Sequence, residues 1–265
     1  MSKHNGKCAL CGIEGELTFE HIPPRSAFND TPSRPVSGHE LFKAENLNDA
    51  ERMPWDTTGM QYTHQQKGMG YYCLCQSCNN NTGTLYGDSY VVLARTVHNA
   101  MTKRTPDDPN GIGFREMYPL RFIKQVISMF CSINNPNDPK MEELRKFVLD
   151  KDAKGLDRTK YKLCMYFTET TLRKYNGVCA VLKKTSAGLE SMILSEITAY
   201  PFGFILYFNP TETWDYKGTD ITECADFGYD DKADILFPWK IEEMNDHFPE
   251  VFRSRDTIRK ERRGS

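Results

Sequence analysis

The sequence predicts a mixed α+β protein, and three observations carry that prediction. Two C-x-x-C pairs and a short apolar–polar alternation lie toward the amino terminus, helical periodicity runs through the middle, and β-branched and aromatic runs fill the remainder. At 265 residues, 39% hydrophobic and 26% charged, the chain can bury one sizeable core or two smaller ones. Its formal net charge of -2 excludes a globally basic surface, so any nucleic acid must be met by local positive charge. "MSKHNGKCAL" holds no apolar signal region, and the longest strongly apolar run, "FGFILYF" at 202–208, is far short of the roughly 20 residues of a membrane helix. A cytoplasmic protein without a membrane partner is expected, and the oligomeric state leaves no mark in the sequence.

The first element is a pair of cysteine knuckles, Cys8/Cys11 and Cys75/Cys78. Nine cysteines scattered at random would yield roughly 0.3 C-x-x-C pairs, so two such pairs carry weight. Two knuckles can close a tetrahedron of thiolates around one zinc ion, and an odd cysteine count without an export signal argues for metal or free thiols over disulfides. Neither pair has the strand-then-helix setting of a redox C-x-x-C. The spacing between the knuckles far exceeds the roughly 15–20 residues of a compact zinc ribbon, so the intervening chain must have its own purpose.

Between the knuckles, "ELTFEHIPPRSAFN" (16–29) alternates Leu17 and Phe19 with polar neighbours as a short strand does, and Pro23 and Pro24 must end it. Glu20 and His21 therefore stand where strand gives way to loop, a place where a carboxylate and an imidazole can take separate jobs. The rest of the insertion is polar and rich in Pro and Gly, and "TPSRPVSGHE" reads as a loop that could drape over substrate. "GYYCLC" reads as a second strand with Cys73 and Cys75 on one face, leaving Cys73 beside the zinc without ligating it.

The order Cys-x-x-Cys, then "EHIPP", then "CQSCN" resembles the zinc-bearing HNH endonucleases of the ββα-metal group, which include endonuclease VII-type junction resolvases. The resemblance covers roughly residues 8–100. It implies an N-terminal ββα-metal finger shaped by zinc on Cys8, Cys11, Cys75 and Cys78, with a separate catalytic Mg²⁺ or Mn²⁺ on Glu20 and Asn79 and with His21 as general base. Chemistry agrees: a neutral imidazole suits proton abstraction near pH 7, and a hard cation prefers carboxylate and amide oxygens. The implied activity is phosphodiester hydrolysis, with DNA the expected partner. The asparagine that orients the histidine in that family is blurred by the insertion, where Asn46, His64, Gln65 and Gln66 are all candidates. Asn79 is expected to begin a helix facing Glu20, with Asn80, Asn81, Thr82 and Gly83 offering polar groups to a phosphate.

Beyond the finger, "TLYGDSYVVLARTVHNAMTKR" shows helical spacing, and "TPDDPNGIG" (105–113) has the composition of a boundary. Helices are predicted at 118–133 and 139–151, and from about 160 four β-rich runs separated by Asn-Gly, Ala-Gly and Pro-x-Gly predict an antiparallel sheet. Its aromatics read as core rather than as a base-stacking platform. The expected organisation is a nuclease domain at 1–104, a helical linker region at 105–158 and a β-rich domain of unknown role at 159–265. The last fifteen residues hold six basic and two acidic side chains, a tail that either steers toward phosphates or is simply solvated. Two other readings stand beside the nuclease: a non-catalytic zinc finger that binds nucleic acid, and a thiol oxidoreductase.

Overall fold

The computed structural model describes residues 3–49, 51–105, 110–185 and 188–263. The expected boundary at 105–113, the Ala187-Gly188 turn and the terminal Gly264-Ser265 fall wholly or partly outside them. The architecture is mixed α+β with antiparallel sheets, as the sequence predicts.

β1 (His4–Lys7) and β2 (Glu14–His21) form a hairpin whose turn is the first knuckle, and β3 (Gly70–Cys75) pairs with β2 on its other side. Two short helices, α1 (Gly38–Leu41) and α2 (Ala44–Leu47), lie in the insertion between β2 and β3. α3 (Gln76–Thr82), a π-helical turn at Gly83–Gly87 and α4 (Asp88–Met101) then run on as one rod. The buried face of α4 is Tyr90, Leu93, Ala94, Val97 and Met101, an i, i+3, i+4, i+7 stripe in which the sequence reading places Leu93, Val97 and Met101 but puts Val92, which is exposed, in place of Tyr90 and Ala94.

β4 (Gly111–Met117) pairs with β10 (Ala233–Pro238) in a separate two-stranded ribbon. α5 (Pro119–Ile133) and α6 (Glu142–Leu149) match the two predicted helices. α5 is buried almost all round even though Arg121, Lys124, Gln125, Ser128 and Ser132 form a polar stripe along one side, so that stripe too is covered by other elements. β5 (Tyr161–Phe167), β6 (Lys174–Thr185), β7 (Gly188–Ala199), β8 (Phe202–Phe208) and β9 (Thr219–Asp220) make one antiparallel sheet of order β6-β7-β8-β5-β9. Its Phe202 and Phe204 meet Tyr90 of α4 and Phe122 of α5, so the aromatics are core.

One hydrophobic cluster runs from Cys8 and Leu74 through α4 and α5 to β5 and β8, crossing both expected domain boundaries. The basic tail is a helix, α7 (Arg255–Arg263), anchored by buried Ile258, with Arg255 and Arg259 over the Trp55 ring of the insertion. Among the described residues no helix is long and apolar enough to cross a membrane.

Candidate metal centre and active site

The four knuckle cysteines converge: the Sγ atoms of Cys8, Cys11, Cys75 and Cys78 all lie within 4.8 Å of one another. Cys11 Sγ and Cys75 Sγ are 3.8 Å apart, matching the edge of about 3.8 Å for a tetrahedron with Zn–S bonds of about 2.3 Å. Local backbone builds the cluster. The Cys8 N–H donates to Ile13 O, the Ala9 N–H donates to Cys73 O, and the Cys75 N–H points at Cys8 Sγ at 3.3 Å. Burial works to raise the Cys8 thiol, but N–H groups of Cys75, Cys11 and Leu10 outweigh it and bring it down to about 7. Four sulfurs at this spacing can hold a structural metal ion such as zinc. Cys73 stands outside the cluster, and burial pushes its thiol up to about 12, so it behaves as a packed thiol.

Directly beside the knuckles, β2 and β3 carry a bulge between Thr18 and Phe19. A bulge interrupts the ladder and frees local backbone groups. Asn79 uses them: its amide N–H₂ donates to Thr18 Oγ1 at 2.9 Å and to Phe19 O at 3.2 Å. With both donors turned toward β2, its Oδ1 remains as an acceptor. Contrary to the sequence expectation, Asn79 does not start the helix, because Cys75 already takes the extended N-cap conformation and α3 begins at Gln76; the second knuckle thus does stand between a strand and a helix, a setting that the sequence reading denies to both pairs. Asn80 and Thr82 are likewise engaged within that helix, with Gln76 and with the carbonyls of Cys78 and Asn79.

Glu20, His21 and Asn79 line one cavity of about 230 Å³, together with Arg25, Asp88 and Gln125. Glu20 has no hydrogen-bond or ion-pair partner among the described residues, and burial alone lifts its carboxyl to about 7. His21 Nε2 lies 3.1 Å from Lys67 O. A carbonyl only accepts, so Nε2 carries the proton and the neutral ring keeps its lone pair on Nδ1. Burial first, then the Arg25 cation, holds the His21 imidazole below its ordinary value, while the Lys67 carbonyl opposes them.

The residue that orients His21 is none of the four sequence candidates. Asn46 donates to Glu40 O, His64 sits against Tyr62, Gln65 is engaged with the backbone of Gly70, and Gln66 bridges to Gly68. A backbone carbonyl does the work instead, and no side-chain pattern could have announced it. The strap that carries it, 67–70, is clamped by fully buried Asn29, whose amide donates to Pro23 O and Met69 O and accepts from the Met69 N–H. Gly68 and Gly70 let the strap close: a Cβ at either position would collide with the backbone carbonyl of Asn29 or of Glu20, and Gly68 also has φ +106.

Sequence reading also missed Asp88 and Gln125. Gln125 is fully buried on α5 with its Oε1 unpartnered among the described residues, facing the cavity floor at Gly87. Asp88 opens α4 after the π-helical turn, a kind of irregularity that recurs at functional sites. Both are brought in by tertiary packing, and neither sits in a local motif. No protein-family description, characterised protein or solved structure matches this chain.

Proposed function

We propose that this protein is a metal-dependent endonuclease of the HNH type, hydrolysing phosphodiester bonds in DNA, with a zinc-bearing ββα finger as its catalytic scaffold. The observation that carries the reading is the convergence of a desolvated carboxyl group without a partner among the described residues, an amide oxygen and a neutral, carbonyl-oriented imidazole in one cavity beside the four-cysteine cluster. That donor set fits a hard cation, because among the described residues the Glu20 oxygens and Asn79 Oδ1 are oxygen ligands without competing partners. Magnesium or manganese bound there would offset the charge developing on the leaving 3′ oxygen.

His21 acts as general base. Its Nδ1 takes a proton from a water, the water oxygen forms a bond to phosphorus, and the P–O bond to the 3′ oxygen breaks, that oxygen gaining a proton from solvent. Lys67 O holds the ring in the tautomer this requires. Asn79 has a second task, bracing the bulge that sets the direction of Glu20 and His21.

The test is a cleavage rate on plasmid, single strands and branched DNA, with RNA in parallel, against Mn²⁺ concentration. His21→Ala should lose about 10²- to 10⁴-fold in rate and should not be rescued by more metal. Glu20→Gln and Asn79→Ala should be partly rescued by it. Full activity in a folded, zinc-loaded His21→Ala protein would exclude the mechanism, and absence of cleavage by the parent protein on every substrate would favour a non-catalytic zinc finger.

A further inference from the structure

A second cavity, of about 520 Å³, opens where the insertion meets the carboxy-terminal sheet. Its walls come from the chain around Phe28, the 31–36 loop, Trp55, the start of β3, the chain leading into β6 and the β7–β8 turn. The lining includes the aromatics Trp55, Tyr71 and Tyr175 and the cations Arg34 and Arg173, and among the described residues it contains no Asp or Glu. Among the described residues, neither arginine has a carboxylate partner. Arg173 donates to Phe28 O and Thr31 Oγ1 through one nitrogen, which leaves its other N–H groups, while exposed Arg34 rests over the Tyr62 ring. The buried Oγ of Ser33 also lacks a partner among the described residues.

We propose that this cavity is a nucleotide-binding site, which stacks one base on its aromatic wall and pairs the phosphate with Arg34 and Arg173. Flat rings receive a base face whatever its sequence, and guanidinium groups without carboxylates recognise phosphate oxygens. A cationic ligand would meet unbalanced positive charge. The volume falls within the range of small-molecule sites. The cavity is also linked to the candidate catalytic residues through its own lining. Tyr175 donates through its hydroxyl to the carbonyl of Ile22, the residue after His21, and Tyr71 is the cross-strand partner of Glu20. A nucleotide here would therefore rest on β3, the partner of the single strand β2 that carries both the candidate base and the carboxylate, and on Tyr175 of β6. The same chemistry is offered by one nucleotide of a bound strand and by a free nucleotide. The site itself stands independently of cleavage.

The experiment uses full-length, zinc-loaded His21→Ala protein without added Mg²⁺ or Mn²⁺, so that no strand is cut. Titrations with a labelled single-stranded pentanucleotide and with AMP and GMP are compared for this parent and for added Arg34→Glu, Tyr71→Leu and Tyr71→Phe. Both Arg34 and Tyr71 are exposed enough to change without opening the core. Arg34→Glu and Tyr71→Leu should each weaken binding about tenfold or more, Tyr71→Phe should restore it, and Arg34→Glu should lower the salt slope by about one. Saturable binding of AMP or GMP that follows this pattern identifies a free nucleotide as sufficient. Binding of the pentanucleotide alone, with the same pattern, identifies a strand. Absence of saturable binding by both probes, or affinities unchanged in Arg34→Glu and Tyr71→Leu proteins of parental melting temperature, overturns the proposal.

Discussion

Glu20 and His21 are neighbours in the chain, yet their protons are displaced in opposite senses. Burial lifts the Glu20 carboxyl from 4.5 to about 7 and lowers the His21 imidazole. Between these two pH values the folded protein holds a proton on Glu20 that the unfolded chain has released, so this group makes stability fall as pH rises through that window. In Glu20→Gln that loss is absent. The variant should gain about 1–3 kcal/mol relative to the parent between pH 5 and pH 8, read from urea unfolding without divalent metal. Mn²⁺ should narrow the difference at pH 8, because a bound cation supplies the counter-charge that burial withholds from the parent carboxylate. Equal pH dependence in the two proteins would show that Glu20 is hydrated and not poised for a cation.

At the scale of elements, the knuckles and the central helix make separate demands. Cys75 ends β3 and caps α3 through its backbone, while its sulfur belongs to the four-cysteine cluster. Cys75→Ser should reduce bound zinc and cost about 2–5 kcal/mol, a fall in Tm on the order of 5–15 °C, whereas Cys73→Ser should retain zinc. Zinc content by mass spectrometry and a melting curve check both. On α5, fully buried Lys124 donates to the carbonyls of Phe147 and Asp150 and lies 4.4 Å from the Phe147 ring centre. It thereby closes the exposed end of α6, where a cation also meets the negative end of the helix dipole. Burial lowers its ammonium to about 8, which still leaves it mostly charged at neutral pH. Lys124→Met should destabilise by about 1–3 kcal/mol at pH 7, since it strands two carbonyls, and equilibrium unfolding measures this.

For the whole molecule, the continuous core determines how the chain can be cut. Tyr90, Leu93, Ala94 and Val97 of α4 are buried within the cluster that also holds α5 and β8. A chain ending at Arg104 would present that face to water. It should therefore be insoluble or molten, with weak zinc retention, although the knuckles lie wholly within it. Gel filtration and near-ultraviolet circular dichroism of the fragment provide the check, and a monomeric fragment with rigid aromatic signals would show that the finger stands alone. The full-length protein should unfold in a single transition, because among the described residues one hydrophobic cluster joins its amino- and carboxy-terminal halves.

The sequence by itself determined the elements with the strongest local periodicity or short spacing, while the short helices α1 and α2 of the insertion and the strands β1, β4 and β10 go unread in it. The strand ending at His21, the helices at 119–133 and 139–149, the four-stranded antiparallel core of the sheet and the cysteine quartet all have causes within a few residues of themselves. Glu20, His21 and Asn79 could be nominated from sequence because a strand end and a knuckle mark them, and all three line one cavity. What only the tertiary structure decided has causes far away in the chain. The carbonyl of Lys67, the clamp of Asn29, the unpartnered Oε1 of Gln125 and the aromatic cavity under the 31–36 loop all depend on which segments come to lie together. A backbone carbonyl has no identity in a sequence, and a cavity belongs to no single segment. Local patterning can announce a ligand or a base, whereas the groups that orient it are selected by packing across the whole core.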